Sequence, residues 1–264
     1  TNNGFGGWLI IIIPLFLGLL AKNIIKGVAL KILLSILITS LLLCLSATFS
    51  RGAWIGFIVA IFLTVLYIFK DFTPKVKLTF LAKGVSILLI FLILPQPLKN
   101  KIMTIGNIYY KTSASLNSRI KSIFKIGEGS IPVRFKLWKE SLRIIGAYPL
   151  TGCGLNTYSK VAPEYKIFEG GGVYSHNSYL QKAAETGLLG LFSFFFVIFN
   201  FFKIGMRHFK RSKDYLLLGF LCGILAFLVH AFFDTHLYSL QLVVLFWFML
   251  GLAVAVMKLG LNSG

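Results

Sequence analysis

VALKILLSILITSLLLCLSATFSRGAWIGFIVAIFLTVLYIF, residues Val28 to Phe69, is the stretch that settles the architecture. Two apolar runs flank the polar junction Thr48-Phe49-Ser50-Arg51-Gly52. Each run falls within the range of roughly 17 to 25 residues that a helix needs to cross the hydrocarbon layer of a membrane. Composition extends the same reading to the whole chain. Of 264 residues, 57% are hydrophobic and 13% are charged, against about 25% charged in ordinary soluble domains. Mean hydropathy is +0.83. Too little polar surface exists to cover a water-soluble globule of this size, so lipid is the natural solvent for the surplus.

Five further candidate spans lie on either side of this pair, giving seven near Gly7–Ala21, Val28–Ala47, Ala53–Phe69, Leu78–Leu94, Ala183–Phe202, Tyr215–Phe233 and Leu237–Met257. The expected fold is an all-α polytopic membrane protein. Residues 1–94 hold four spans, 95–182 form one large loop, and 183–264 hold three more. The chain starts at Thr1 with no basic segment ahead of its first span, so no cleavable signal peptide is visible and N-terminal spans are expected to be missing. Lys22, Lys26 and Lys31, then Lys70, Lys75, Lys77 and Lys83, then Lys203, Arg207, Lys210, Arg211 and Lys213 occupy every second connection, and Lys258 follows the last span. Basic connections stay in the cytoplasm. The Arg51 junction, the 95–182 loop and the Asp234–His236 turn are therefore expected to face outward together.

The formal charge of +19 does not point to nucleic acid, because the basic groups sit where membrane topology puts them. Anionic lipid and anionic substrate fit better. Cys44, Cys153 and Cys222 form neither a disulfide framework nor a zinc spacing. The outward carboxylates, Glu128, Glu140, Glu164, Glu169, Glu185 and Asp234, form no paired motif, so neither metal nor cofactor is expected.

Within the loop, Ile131, Phe135, Trp138, Leu142 and Ile145 make a helical stripe behind the N-cap candidate Ser130. This predicts an amphipathic helix near 131–146, resting by that stripe on the membrane or the spans, with Lys136, Glu140 and Arg143 turned away. Arg51 at the outer junction is either a snorkelling anchor or a fixed cation for phosphate, whose oxygens match the guanidinium fork. Arg134 is either a solvated helix charge or a second such cation, with Arg119, Lys121 and Lys125 close upstream. His176, in Tyr174-Ser175-His176-Asn177-Ser178, precedes a helix start, where a neutral imidazole able to accept a proton is favoured. Glu185, nine residues further on, either orients His176 or caps a helix.

Taken together, Ser50-Arg51-Gly52-Ala53-Trp54, Arg134-x-x-x-Trp138, Tyr148-Pro149-Leu150-Thr151-Gly152-Cys153-Gly154-Leu155-Asn156-Thr157-Tyr158, His176-Asn177-Ser178-Tyr179-Leu180-Gln181 and Glu185-Thr186-Gly187-Leu188-Leu189-Gly190 resemble the O-antigen ligase and polymerase superfamily in order and in topology. The Asp234 region also looks like it, and the Asn2-Asn3 to Pro14 start looks like an earlier family span. The resemblance implies a metal-independent bacterial inner-membrane glycosyltransferase of the GT-C type. It would pass a glycan from undecaprenyl diphosphate to an acceptor hydroxyl on the extracytoplasmic face. In ligases the acceptor is a lipid A core sugar; in polymerases it is another lipid-linked glycan. Carried onto the matched positions, Arg51 and Arg134 hold the diphosphate and His176 is the base. Arg119, Asn177 and Glu185 are expected substrate contacts. The competing class is a lipid-linked glycan transporter or flippase, which calls for ionisable groups near the bilayer midplane. A non-catalytic scaffold is the third.

Overall fold

The structure is a computed structural model, and it describes residues 2–21, 27–69, 130–167 and 174–261. Among these residues the chain is helical and holds no strand. The long helices are α1 (Asn2–Ala21), α2 (Val28–Ala47), α3 (Arg51–Phe69), α4 (Ser130–Ala147), α5 (Ser178–Ser212), α6 (Tyr215–Ala231) and α7 (Leu240–Leu261). Short helical turns cover Tyr158–Val161, Ala162–Tyr165 and His236–Tyr238. By packing, Thr1–Ile61 and Lys125–Gly264 form one unit and Phe62–Phe124 another. Everything below concerns the first.

Helices α1, α2, α5 and α7 are long and apolar enough to cross a membrane, and α3 and α6 contain shorter apolar helices. Six of the seven expected spans therefore coincide with described helices. The expected span at Leu78–Leu94 lies outside the described residues. The largest boundary shifts are in α1 and α5. α1 begins at Asn2 rather than Gly7, and α5 runs from Ser178 through the basic run Lys203–Ser212. A helix does not stop where hydropathy drops, because its backbone bonds continue until a cap ends them. For α5 that end is Lys213, in a left-handed conformation, with Asp214 capping α6 directly after it.

α6 is the centre of the bundle, buried along most of its length. Small residues allow its neighbours to come close, as in membrane helix pairs generally. A Cβ on Gly219 would fall 2.5 Å from the Pro14 carbonyl oxygen of α1, and one on Gly223 would fall 2.4 Å from that of Ile11. α3 presses on the same helix near its other end, with Gly56 against the Ala226 carbonyl. Side chains of Ile10, Ile13, Leu45, Ala53, Ala60 and Ala226 fill the space between. One end of this bundle carries the start of α1, the α2–α3 junction, the start of α5 and the α6–α7 turn. The Lys-rich end of α5 lies at the other.

α4 covers the expected amphipathic helix and corrects one side chain: Glu140, expected to turn away, is buried with Leu137, Ser141 and Ile144, while Phe135 and Leu142 of the stripe are exposed on the protein's outside. The burial of two polar residues has a local cause. Glu140 accepts the Ile167 backbone N–H at 2.7 Å, and Ser141 pairs with the Tyr158 hydroxyl at 2.7 Å. Once satisfied, they take positions that hydrophobic periodicity assigns to the outside.

Candidate functional site

The α2–α3 junction is built from its own sequence. Ser50 is the N-cap of α3: its hydroxyl accepts the Ala53 N–H at 3.4 Å, and its own N–H donates to Thr48 Oγ1 at 3.2 Å. Phe49 takes a left-handed conformation, φ 50°, which costs a residue with a Cβ roughly 1–2 kcal/mol. Trp54 Nε1 donates back to the Leu45 carbonyl at 3.0 Å and ties the two helices together. Gly52 faces His230, whose ring carbon would lie 2.7 Å from an added Cβ, so α3 sits tight on α6. In this motif Ser, Gly, Ala and Trp build the corner. Arg51 lines a cavity.

The second motif works the same way. Asn177 caps α5, its side chain accepting the N–H groups of Tyr179 and Leu180 at 2.9 and 3.1 Å. Ser175 and Gln181 brace the loop before it. Ser178 donates to the Asp234 carbonyl at 2.8 Å and so pins the α6–α7 turn to the start of α5. Tyr179 donates to the Leu228 carbonyl of α6. His176 is held at φ 50°. Strained backbone of this kind is retained where surrounding structure fixes it, often at functional sites.

Asp234 gathers these parts. Its Oδ1 lies 3.0 Å from His176 Nδ1 and accepts the Thr235 N–H at 2.8 Å. Its Oδ2 accepts from Asn3 Nδ2 at the start of α1 and lies 4.0 Å from an Arg134 nitrogen. Burial alone would raise this carboxyl, but the His176 hydrogen bond, the nearby His236 and the Thr235 amide hold it well below the usual carboxylate range. Asp234 is thus ionised and can only accept hydrogen bonds. The proton of the His176–Asp234 contact then belongs to His176 Nδ1, which leaves Nε2 as the basic nitrogen. The His176 side chain is 41% exposed.

Beside this pair is a cavity of about 260 Å³ lined by Asn3, Phe49, Ser50, Arg51, Gly52, Arg134, His230 and Phe233. Burial pushes the Arg134 pKa down, Asp234 pulls it back up, and Arg51 pushes it down again. Both arginines line this one cavity. Under the cavity His230 and His236 approach Nε2 to Nε2 at 3.1 Å, with Ser50 Oγ 3.4 Å from His230. Burial, opposed by Asp234 and reinforced by Arg134, lowers the His236 pKa to about 4. The surroundings thus resist further positive charge on protein groups while holding two fixed cations.

Arg51, Arg134 and His176 are brought to one end of the bundle. Asn177 and Glu185 are placed differently from a substrate contact. Asn177 is 1% exposed and spent on its cap. Glu185 is 1% exposed and accepts the backbone N–H groups of Asn156 and Tyr158 at 2.9 and 3.3 Å. It faces the Tyr148–Tyr158 loop, and the carboxylate that meets His176 is Asp234. Arg119 lies outside the described residues. Sequence reasoning missed Asn3, His230 and His236, which carry no local signal, and did not pair Asp234 with His176 across 58 positions. Among the described residues no group of three His, Cys, Asp or Glu is placed to hold a metal.

Fold and site define a polytopic helical membrane protein with a cationic, carboxylate-braced cavity at one end of its bundle. Residues 34–195, more than half of the chain, match the family model of the O-antigen ligase (Wzy_C), and the chain belongs to that ligase and polymerase superfamily, whose members are glycosyltransferase-type enzymes. Comparison with individual curated proteins gives no match.

Proposed function

We propose that this protein is a glycosyltransferase that moves a glycan from undecaprenyl diphosphate to an acceptor hydroxyl, on the extracytoplasmic face of the bacterial cytoplasmic membrane. The observation that carries the reading is the cavity in which Arg51 and Arg134 stand together beside the His176–Asp234 pair. Two guanidiniums in proximity repel, and a bridging dianion such as a diphosphate relieves the repulsion. A volume of about 260 Å³ suits a headgroup, with glycan and lipid tail extending out of it.

The chemistry follows from the positions. His176 Nε2 takes the proton of the acceptor hydroxyl, while Asp234 steadies the imidazolium that forms. The acceptor oxygen bonds to the anomeric carbon as the bond from that carbon to the diphosphate oxygen breaks. The electron pair departs with the diphosphate, where negative charge grows. Arg51 and Arg134 are fixed beforehand where that charge develops, at a membrane edge where water screens weakly. They do the work a metal does in other transferases. Inversion at the anomeric carbon is the simplest outcome of one displacement. Ligase and polymerase differ in the acceptor, and both would use these residues.

The test is a transfer assay in proteoliposomes with undecaprenyl-diphosphate glycan and, in separate arms, lipid A core or a second lipid-linked glycan as acceptor. His176→Ala is expected to lower the rate about 100- to 10,000-fold, the usual contribution of a general base. Undiminished product from that variant, or no product from the unaltered protein with either acceptor, would defeat the proposal.

A further inference from the structure

Among the described residues Asn3 is the one neutral amide lining the cavity, and its Nδ2 donates to Asp234 Oδ2. We propose that Asn3 is a positioning residue that occupies Asp234 Oδ2 so that the Arg134 guanidinium stays available to the diphosphate. The inference rests on the diphosphate reading above and adds a role for the start of α1.

The carboxylate has two oxygens and three side-chain neighbours. Oδ1 is taken by His176 Nδ1 and the Thr235 N–H. Oδ2 lies between the Asn3 amide, in hydrogen-bond contact, and Arg134 at 4.0 Å, beyond hydrogen-bond range. With Oδ2 open, an Arg brought this near in a half-buried site would ordinarily close onto that oxygen in a charge-assisted hydrogen bond. Such a bond would take up part of the fork needed by a phosphate. A neutral donor on Oδ2 satisfies the carboxylate without spending a cation. Asn3 is held in place to do this. Gly6 lets α1 approach Ala53 and Ser50, where an added Cβ would meet Ala53 at 2.9 Å, and Gly7 brings α1 against Leu242. α1 therefore cannot slide away from the α2–α3 junction without clearing both contacts.

The experiment measures binding of undecaprenyl diphosphate to the purified full chain in nanodiscs, by calorimetry, for the unaltered protein, Asn3→Leu and Asn3→Leu with Asp234→Asn. Asn3→Leu keeps the volume and removes the donor, so Arg134 should collapse onto Asp234 and the Kd should rise about tenfold, the scale of one charge-assisted hydrogen bond. Adding Asp234→Asn removes the charge that captures Arg134 and should restore the Kd. That recovery also shows that the Asn3→Leu chain is folded, and a purely structural role for Asn3 would not produce it. An unchanged Kd for Asn3→Leu overturns the inference, and so does a raised Kd that the second substitution fails to correct. If the unaltered protein does not bind undecaprenyl diphosphate at all, the diphosphate reading itself fails and takes this role with it.

Discussion

Glu185 and Asp234 are both carboxylates withdrawn from water at the same end of the molecule, yet their surroundings differ in kind. Glu185 is met by backbone N–H groups of Asn156 and Tyr158 and by the Gln181 amide. Around it the Tyr148–Tyr158 loop seats into a break in α5. At Gly187, φ 69°, the helix is interrupted. The loop N–H groups of Cys153 and Gly154 take the carbonyls of Ala184 and Glu185, and the loop carbonyls of Pro149 and Leu150 receive the N–H groups of Leu188 and Leu189. Gly152 and Gly187 face each other across this joint, and a Cβ on Gly187 would fall 2.0 Å from the Leu150 oxygen. Asp234, by contrast, is met by side chains that can titrate, carry charge or bind elsewhere: His176, Arg134 and Asn3. A carboxylate satisfied by backbone amides is part of the frame. One shared among a histidine, an arginine and an amide beside a cavity is what the proposal assigns to the chemistry.

That contrast fixes what substitution should do. Of these substitutions Asp234→Ala is expected to cost the most transfer, about 100-fold or more per folded molecule, by freeing the His176 ring and its tautomer. Glu185→Ala should act on stability instead. Losing two charge-assisted bonds to buried amides costs about 3 kcal/mol, read as a lower melting temperature, while the protein that remains folded keeps its turnover. If Glu185→Ala instead removed activity at unchanged stability, the division between frame and chemistry would be wrong. Arg51→Lys comes next. It keeps the charge but loses the fork, so donor affinity should drop about tenfold; equal affinity would make Arg51 an anchor only.

A further expectation concerns pH. The His236 pKa is lowered from its ordinary 6.5 to about 4 in the fold. Between those values the unfolded chain takes up a proton that the folded chain refuses. The folded state therefore loses stability as pH falls through that window, by at most about 1.4 kcal/mol per pH unit. Below it Asp234 continues the trend, since its folded pKa lies under its ordinary 3.8. Melting temperatures measured from pH 7 to pH 4 should decline for the unaltered protein and decline less steeply for His236→Asn. A flat profile for both would remove His236 from the argument.

The transmembrane frame was legible because hydropathy over a span averages many residues, and α2 and α6 start where the apolar runs start. The ends of α1 and α5 were less so, since polar residues such as Asn3 or Lys210 continue a helix as well as they end one. In α4 the side of Glu140 was misread, because its burial rests on a partner, Ile167, that no periodicity reveals. In the site, Arg51, Arg134 and His176 stood out by residue type, by position beside a span or helix, and by the motifs that resemble the family. Their partners did not. Asp234 meets His176 from 58 positions away and Asn3 reaches it from 231, and such pairings come from how α1, α5 and α6 pack. Asn177 and Glu185 were assigned to substrate because they sit in the same motifs, although capping and loop anchoring account for both.

The most direct measurement is a structure of the protein in a lipid nanodisc with undecaprenyl diphosphate bound. The account places the two phosphates in the cavity, each within about 3 Å of guanidinium nitrogens of Arg51 and Arg134, with His176 Nε2 facing the side from which an acceptor would arrive. Phosphates seated elsewhere on the chain, with the two arginines turned from them, would contradict it.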